Sequence, residues 1–137
     1  MRRLKRLKRL TRCELRLLLR AAIVVAIVRT ALWLIPFAFV RRLVARTVAV
    51  PEQIPVERCV WAVKVTSRCL PRATCLTQAL ALQALLAREG RKSRVEIGVA
   101  KNTIGAFEAH AWVICENQIV MGGSGIARYE RLTAWEL

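Results

Sequence analysis

The stretch that most constrains the fold of this chain runs from residue 71 to residue 90, with the sequence PRATCLTQALALQALLAREG. Thr74 belongs to the residue types that cap helices at their start, and Gly90 to those that end them. Between these two positions, leucines and alanines spread over almost the whole circumference of the predicted helix. Because a helix that is apolar on most sides has to be packed on several faces, we expect the other segments to surround it.

Cys75 falls in the first turn of this helix. The free backbone N–H groups and the positive end of the helix dipole favour a thiolate there, and the same N–H groups can hold an oxyanion. A free cysteine is otherwise a common small core residue. The chain's only histidine, His110, favours the chemical interpretation, because a cysteine with a histidine on a later element is typical of a nucleophile and its base.

The basic charge of the 137-residue chain is concentrated near its start. The net charge is +15, and residues 1–46 carry +12 of it, with Glu14 as their one acid. Leucines at helical spacing lie between the basic residues from Leu4 to Leu19. We expect a basic amphipathic helix that lies on an anionic membrane or an acidic partner, or else packs its leucines on the domain. Nucleic acid is not an expected partner, because no aromatic residues interleave with these charges.

The most apolar run, residues 21–40, is long enough to span a membrane. Arg29 near its middle and Pro36 argue against a simple span, since an arginine at mid-bilayer is costly. We therefore expect two buried or interfacial helices that break near Pro36, with a membrane-associated state as the alternative. A signal peptide is disfavoured, because the basic part is long and no clear small-residue cleavage site follows.

Two prolines, Pro51 and Pro55, predict a turn or linker after a further helical stretch at residues 41–50. We use them to divide the chain into a basic, apolar N-terminal helical segment, residues 1–50, and a core, residues 51–137. The core is expected to begin with a short helix.

After the central helix the pattern changes from helical to alternating, which is typical of strands. Three strands are predicted, at residues 94–101, 107–115 and 118–121. The polar pair Glu116-Asn117 is expected to form the turn between the second and the third. The sequence therefore predicts an α+β fold in which the helix with Cys75 packs against a small antiparallel sheet.

Five cysteines are present, at positions 13, 59, 69, 75 and 115. None forms a CxxC pair, and the chain has a single histidine, so neither a zinc site nor a disulfide framework is expected. No cofactor is implied, and the chain is interpreted as cytoplasmic and reduced. Cys75 alone is expected to combine a helix start with a nearby histidine.

Several stretches resemble the lasso peptide biosynthesis B2 proteins. They are the PRATCL sequence at residues 71–76 with the leucine-rich helix that follows, the Ile-Gly-Val run at 97–99, and the Ala-His-Ala-Trp-Val run at 109–113. These proteins are leader peptidases with a transglutaminase-like, papain-related core, and the match covers about residues 55–125. The resemblance implies Cys75 as the nucleophile and His110 as the general base. Trp112 shares a strand face with His110, and it walls the site or fills the core.

The third catalytic group departs from the family. Relatives often have an aspartate twelve residues after the histidine, where this chain has Gly122, and the chain has no aspartate at all. Antiparallel pairing is expected to put His110 opposite Gly123, so that a nearby backbone carbonyl, the hydroxyl of Ser124 or the carboxylate of Glu108 orients the imidazole. Since the third group of a triad orients the imidazole and stabilises its charge, we expect lowered activity, with an inactive member as the alternative.

The resemblance implies a cysteine peptidase that removes the leader from a ribosomally synthesised precursor peptide. A separate leader-binding protein would deliver the precursor, and an asparagine-synthetase-like cyclase would then close the lasso ring. Two other functions fit the same residues: a transglutaminase-type acyl transferase that uses the same cysteine and histidine, and a non-catalytic, membrane-associated scaffold that uses the basic segment.

Overall fold

The computed structural model describes residues 10–70, 73–101, 103–123 and 129–136. In these ranges the helices are α1 (Arg12–Leu34), α2 (Phe37–Ala45), α3 (Val56–Cys69) and α4 (Cys75–Arg88). The strands in the same ranges are β1 (Ser93–Lys101), β2 (Phe107–Cys115), β3 (Gln118–Met121) and β4 (Glu130–Glu136). This succession of helices and strands confirms the predicted α+β class.

Helix α4 is the central element, as its sequence predicts. The hydroxyl of Thr74 accepts a hydrogen bond from the backbone N–H of Thr77 and caps the first turn. Eight of the 14 residues are buried, and they are spread around the whole helix. The helix contacts α1, α2 and α3 as well as strands β1 and β2. These contacts cover the apolar surface of α4 on every side.

Helix α1 begins at a capping box that the sequence analysis did not identify, in which Thr11 and Glu14 bond each other's backbone N–H groups. Its inner side, which includes Ala21 and Val25, is buried against α3 and α4. The predicted break at Pro36 is confirmed, since α1 ends at Leu34 and α2 begins directly after the proline.

Two expectations for the N-terminal region need correction. The predicted leucine stripe splits, because Leu18 is buried whereas Leu15 and Leu19 are exposed. The helical stretch expected at residues 41–50 ends early, at Ala45. The first part of the expected basic helix, residues 1–9, lies outside the described residues. The division at residue 50 stays a prediction, although α1 contributes to the same hydrophobic core as α3 and α4.

The sheet is antiparallel and has the strand order β3-β2-β1-β4. The predicted limits of β2 and β3 are confirmed. Glu116 and Asn117 both have positive φ, as a two-residue hairpin turn requires. Strand β4 was missed by the sequence analysis, which expected three strands. It pairs with β1 at the sheet edge, with a register shift between Ile97 and Gly98.

The two faces of the sheet have different surroundings. Ala111 and Val113 of β2 are buried in the core that the helices form. By strand alternation, His110 and Trp112 point to the opposite face. Trp112 is not part of that core, although it is only 3% exposed, and its Nε1 donates a hydrogen bond of 2.7 Å to the carboxylate of Glu96. The sequence-predicted site residues of β2 therefore lie on the outer face.

The central position of α4 leads to a stability prediction. We expect Leu86→Ala to lower the free energy of unfolding by about 2–5 kcal/mol, because Leu86 is fully buried and the truncation leaves a cavity. The same truncation at Leu19, which is 63% exposed, should cost less than about 0.5 kcal/mol. Urea unfolding followed by circular dichroism measures both, and equal losses would contradict the placement of the two helices.

Candidate functional site

Cys75 is the first residue of α4, directly after the cap Thr74. Its side chain is partly exposed and packs at the edge of the hydrophobic core. Because the cap takes up the N–H of Thr77, the N–H groups of Cys75 and Leu76 remain available to a ligand at the helix start. The predicted placement of Cys75 is confirmed, and it gives the thiol a position at the positive end of the helix dipole.

Cys75 is not alone in this position. Cys13 is also exposed in the first turn of a helix, α1, so a helix start by itself does not set Cys75 apart. What distinguishes Cys75 is its place beside the sheet, since α4 contacts both β1 and β2. The other exposed cysteine, Cys69, ends α3.

The two remaining cysteines are buried. Burial raises the pKa of the Cys59 thiol to about 11, and it also raises the pKa of the Cys115 thiol. Because the thiolate is the nucleophile, these two residues are inert core residues at neutral pH.

His110 is held by a hydrogen bond to the backbone. Its Nε2 lies 2.7 Å from the carbonyl oxygen of Gly122. The ring of Tyr129 lies 5.3 Å from the imidazole, and that of Trp112 lies 6.3 Å from it, measured between centroids. Since the carbonyl is only an acceptor, Nε2 carries the proton, and Nδ1 is left with a lone pair that can accept another.

Of the three orienting groups that the sequence left open, the structure shows a backbone carbonyl. Glu108 lies exposed on β2, and Ser124 lies outside the described residues. Gly122, at the position where the resemblance implied an aspartate, contacts His110 through its main chain. A carbonyl dipole can hold the imidazole in one orientation, although it lacks the full charge of a carboxylate.

The backbone of Gly122 leaves no room for a side chain. Its φ is +79°, and a Cβ built on it would lie 2.6 Å from the carbonyl oxygen of Ala111. The expected pairing of His110 with Gly123 is wrong. The register between β2 and β3 shifts between Val113 and Ile114, and the described pairing ends at Met121 and Val113. The extra residue of this bulge turns the chain so that the Gly122 carbonyl contacts His110.

Trp112 forms a wall beside His110. Its indole is tied to Glu96, which is 6% exposed and also pairs with Arg94 at 3.0 Å. The indole reaches across β1 over Gly98, where an added Cβ would come within 2.8 Å of it. Sequence analysis did not identify Glu96. The signal that could have identified it is an acidic residue within an apolar alternating strand, opposite Trp112 in register.

Along α4 and β1, Cys75 and His110 lie toward the same end, with His110 on the face of the sheet opposite the helices. Gln83, in the middle of α4, donates a hydrogen bond of 3.4 Å to the carbonyl of Ser93 at the start of β1. Strand β1 then runs back along α4, and Gly98 near its far end pairs with His110. The described side chains form no hydrogen bond between Cys75 and His110.

The segments next to these two residues, 71–72 and 124–128, lie outside the described residues. In the part of the chain that the structure describes, no group of three or more His, Cys, Asp or Glu side chains comes together as a metal site. The chemistry to be assigned is therefore that of a thiol at a helix start and an imidazole with a fixed tautomer.

Comparison with protein families supports this kind of chemistry. The family described as the transglutaminase-like superfamily matches residues 15–134, a range that includes α2, α3, α4, the first three strands and both Cys75 and His110. No curated protein and no solved structure matches the chain. The fold of this superfamily is one of cysteine-dependent peptidases and acyl transferases. The chain belongs to the transglutaminase-like superfamily.

Proposed function

We propose that this protein is a cysteine peptidase in which Cys75 is the nucleophile and His110 the general base. The observation that carries the proposal is the 2.7 Å hydrogen bond between His110 Nε2 and the Gly122 carbonyl. That bond fixes the imidazole in the tautomer whose Nδ1 can take a proton. The family match supports a cysteine-based enzyme, because it spans both residues.

The reaction follows from the roles of these groups. The Cys75 thiol gives its proton to Nδ1 of His110, and the thiolate attacks the carbonyl carbon of the scissile peptide bond. The N–H groups at the start of α4 stabilise the oxyanion that forms. The imidazolium then protonates the leaving amine, and water hydrolyses the thioester to restore the thiol. These steps require the Cys75 and His110 side chains to come into contact when substrate binds.

The neutral partner of His110 affects the rate. A carboxylate would stabilise the imidazolium by charge as well as by position, whereas the Gly122 carbonyl contributes a dipole only. We therefore expect a slower enzyme than a relative with an aspartate. Tight delivery of the substrate compensates for a weaker catalytic pair, because positioning alone supplies a large share of a rate enhancement.

The proposed substrate is the leader region of a lasso peptide precursor. Support comes from the PRATCL stretch at the start of α4, from the Ala-His-Ala-Trp-Val run of β2 and from their order along the chain. The partners proposed on the same basis are a separate leader-binding protein and an asparagine-synthetase-like cyclase. Cleavage would take place in the cytoplasm, in solution or at the membrane surface.

An acyl transferase of the transglutaminase type is the second candidate, and the family match supports it equally. Both reactions pass through a thioester on Cys75 and differ in whether water or an amine resolves it. Incubation of the protein with a lasso peptide precursor, a leader-binding protein and hydroxylamine distinguishes them by mass spectrometry. Because the core peptide is the leaving amine in both reactions, the leader fragment distinguishes them. A leader that ends mainly in a carboxylate supports the peptidase, whereas a leader that ends mainly in a hydroxamate supports the transferase.

We expect Cys75→Ala to lower the cleavage rate by at least about a thousandfold, because the nucleophile is lost. Cys13→Ala is the matched control, since Cys13 also lies in the first turn of a helix and is exposed. It should keep the activity of the unaltered protein. Rates are measured by chromatography of the cleaved precursor, with folding checked by circular dichroism. Full activity in a folded Cys75→Ala protein would show that Cys75 is not the nucleophile.

The role of the Gly122 carbonyl is tested with Gly122→Ala. The added methyl group cannot be placed without moving the carbonyl of Ala111 or that of residue 122, so the hydrogen bond to His110 is lost. We expect cleavage to slow by about tenfold or more, since a misplaced general base loses much of its effect.

Gly105→Ala is the control for this variant. Gly105 also has positive φ, at +82°, but a Cβ there has open space around it. Both variants should lose about 1–2 kcal/mol of stability from the left-handed backbone, and Gly122→Ala should lose more because its methyl group meets the Ala111 carbonyl. Only Gly122→Ala should lose activity. Equal activities in the two folded variants would show that the Gly122 carbonyl does not orient His110.

A further inference from the structure

The outer side of α1 is apolar where a surface helix is normally polar. Its exposed large side chains recur at helical spacing on the side opposite the buried one. They are Leu15, Leu19, Ile23, Ile27, Trp33 and Leu34. Between Leu17 and Val28 the only charged residue is Arg20, which is paired with Glu52 away from this row.

Helix α2 extends this apolar surface. Phe39 and Leu43 are 54% and 55% exposed, while the opposite side of α2 is buried through Val40 and Val44. We use the name outer apolar face for the exposed row on α1 together with Phe39 and Leu43. Its extent distinguishes it from the single exposed apolar residues that are normal on any protein surface.

Arginines border the outer apolar face at both ends. Arg12 and Arg16 are exposed at the start of α1, and Arg42 and Arg46 are exposed on and just after α2. A hollow of about 480 Å³ next to Phe39 has an apolar floor with Arg42 and Arg46 at its rim. The guanidinium of Arg42 lies 5.7 Å from the centre of the Phe39 ring. Apolar floors edged by guanidinium groups suit molecules with an acyl chain and a phosphate.

We propose that the outer apolar face binds the surface of an anionic phospholipid bilayer. Residues 1–46 carry +12 of the charge, which attracts anionic headgroups. Trp33, 85% exposed at the end of α1, suits the boundary between headgroups and acyl chains. The same charge disfavours a second copy of the chain as the occupant, because two segments of +12 would be placed against each other.

The packing of α1 determines how it meets the bilayer. By length and composition α1 could cross a membrane, and it is the one such helix in the described ranges. Its inner side, however, is buried against α3 and α4 through Ala21, Val25 and Val28. Only the outer half of its circumference is free, so α1 lies in the plane of the interface rather than across the membrane.

This inference is independent of the proposed peptidase activity, and vesicle flotation tests it. The full-length protein should float with vesicles of mixed phosphatidylglycerol and phosphatidylcholine, and much less with phosphatidylcholine alone. Raising the salt from about 50 mM to about 500 mM should weaken the binding severalfold, because it screens the headgroup attraction. Cleavage of the precursor in solution is measured separately, so failure of one proposal leaves the other intact.

Two pairs of variants locate the surface. Ile23→Gln with Ile27→Gln should weaken partitioning by at least tenfold, since two apolar side chains no longer enter the bilayer. Ile104→Gln with Ile119→Gln is the control, because both residues are exposed on the sheet side of the molecule. This control variant also replaces two isoleucines by glutamines and leaves the charge unaltered. Its partitioning should therefore stay within about twofold of that of the unaltered protein.

A second variant with its own control tests the electrostatic attraction to anionic headgroups. Arg42→Gln with Arg46→Gln should weaken binding to anionic vesicles by about tenfold or more and leave the small binding to neutral vesicles unchanged. Lys64→Gln with Arg68→Gln on α3 removes the same charge elsewhere and should cost less. All variants are checked by thermal unfolding, because changes at exposed positions should leave the fold intact.

Several results would overturn the proposal. Absence of the unaltered protein from the floated fraction would exclude the anionic bilayer. Equal retention by neutral vesicles at every salt concentration would exclude it too. Equal partitioning of the two isoleucine variants excludes this face. Deep quenching of Trp33 by lipids brominated near the bilayer centre would mean that α1 spans the membrane. Tight binding to poly-glutamate without vesicle binding would mean an acidic protein partner.

Discussion

The burial of α4 on all sides is the constraint on which the rest of the structure depends. Its leucines and alanines leave no polar side for water, so three helices and a sheet have to cover it. This burial fixes where the helix starts, and therefore where Cys75 lies. The proposed nucleophile, at the start of a packed helix, thus has a position that the burial of the whole helix defines.

The proposed base is positioned by a different principle. The ring of His110 is held by one carbonyl and by neighbouring aromatic rings, and the indole of Trp112 is in turn tied to the buried Glu96. Glu96 therefore acts on the surroundings of the imidazole by fixing the position of the indole. In the described structure a carbonyl dipole and an indole held by Glu96 surround the imidazole.

Much of this arrangement follows from local sequence. Thr74, the apolar helix after it, and the alternation of residues 107–115 predict the elements, because caps and periodicity are local signals. Strand β4 could not be predicted in this way, since its partner β1 is some thirty residues earlier. The orienting carbonyl escaped prediction for a similar reason: the register shift beside β3, which aims Gly122 at His110, depends on three-dimensional packing.

Gly98 lies where the indole of Trp112 and the residues at the start of strand β4 approach the same point of the backbone. A Cβ at this position would meet the indole of Trp112 on one side, and the backbone of Glu130 and the side chain of Tyr129 on another, all within 3.0 Å. The indole beside the imidazole and the edge strand β4 thus both border the space that a methyl group at position 98 would need. Within the superfamily, a larger residue at this position would require a smaller one at position 112 or an edge strand that starts farther away, so the shape of the site and the width of the sheet should vary as one unit.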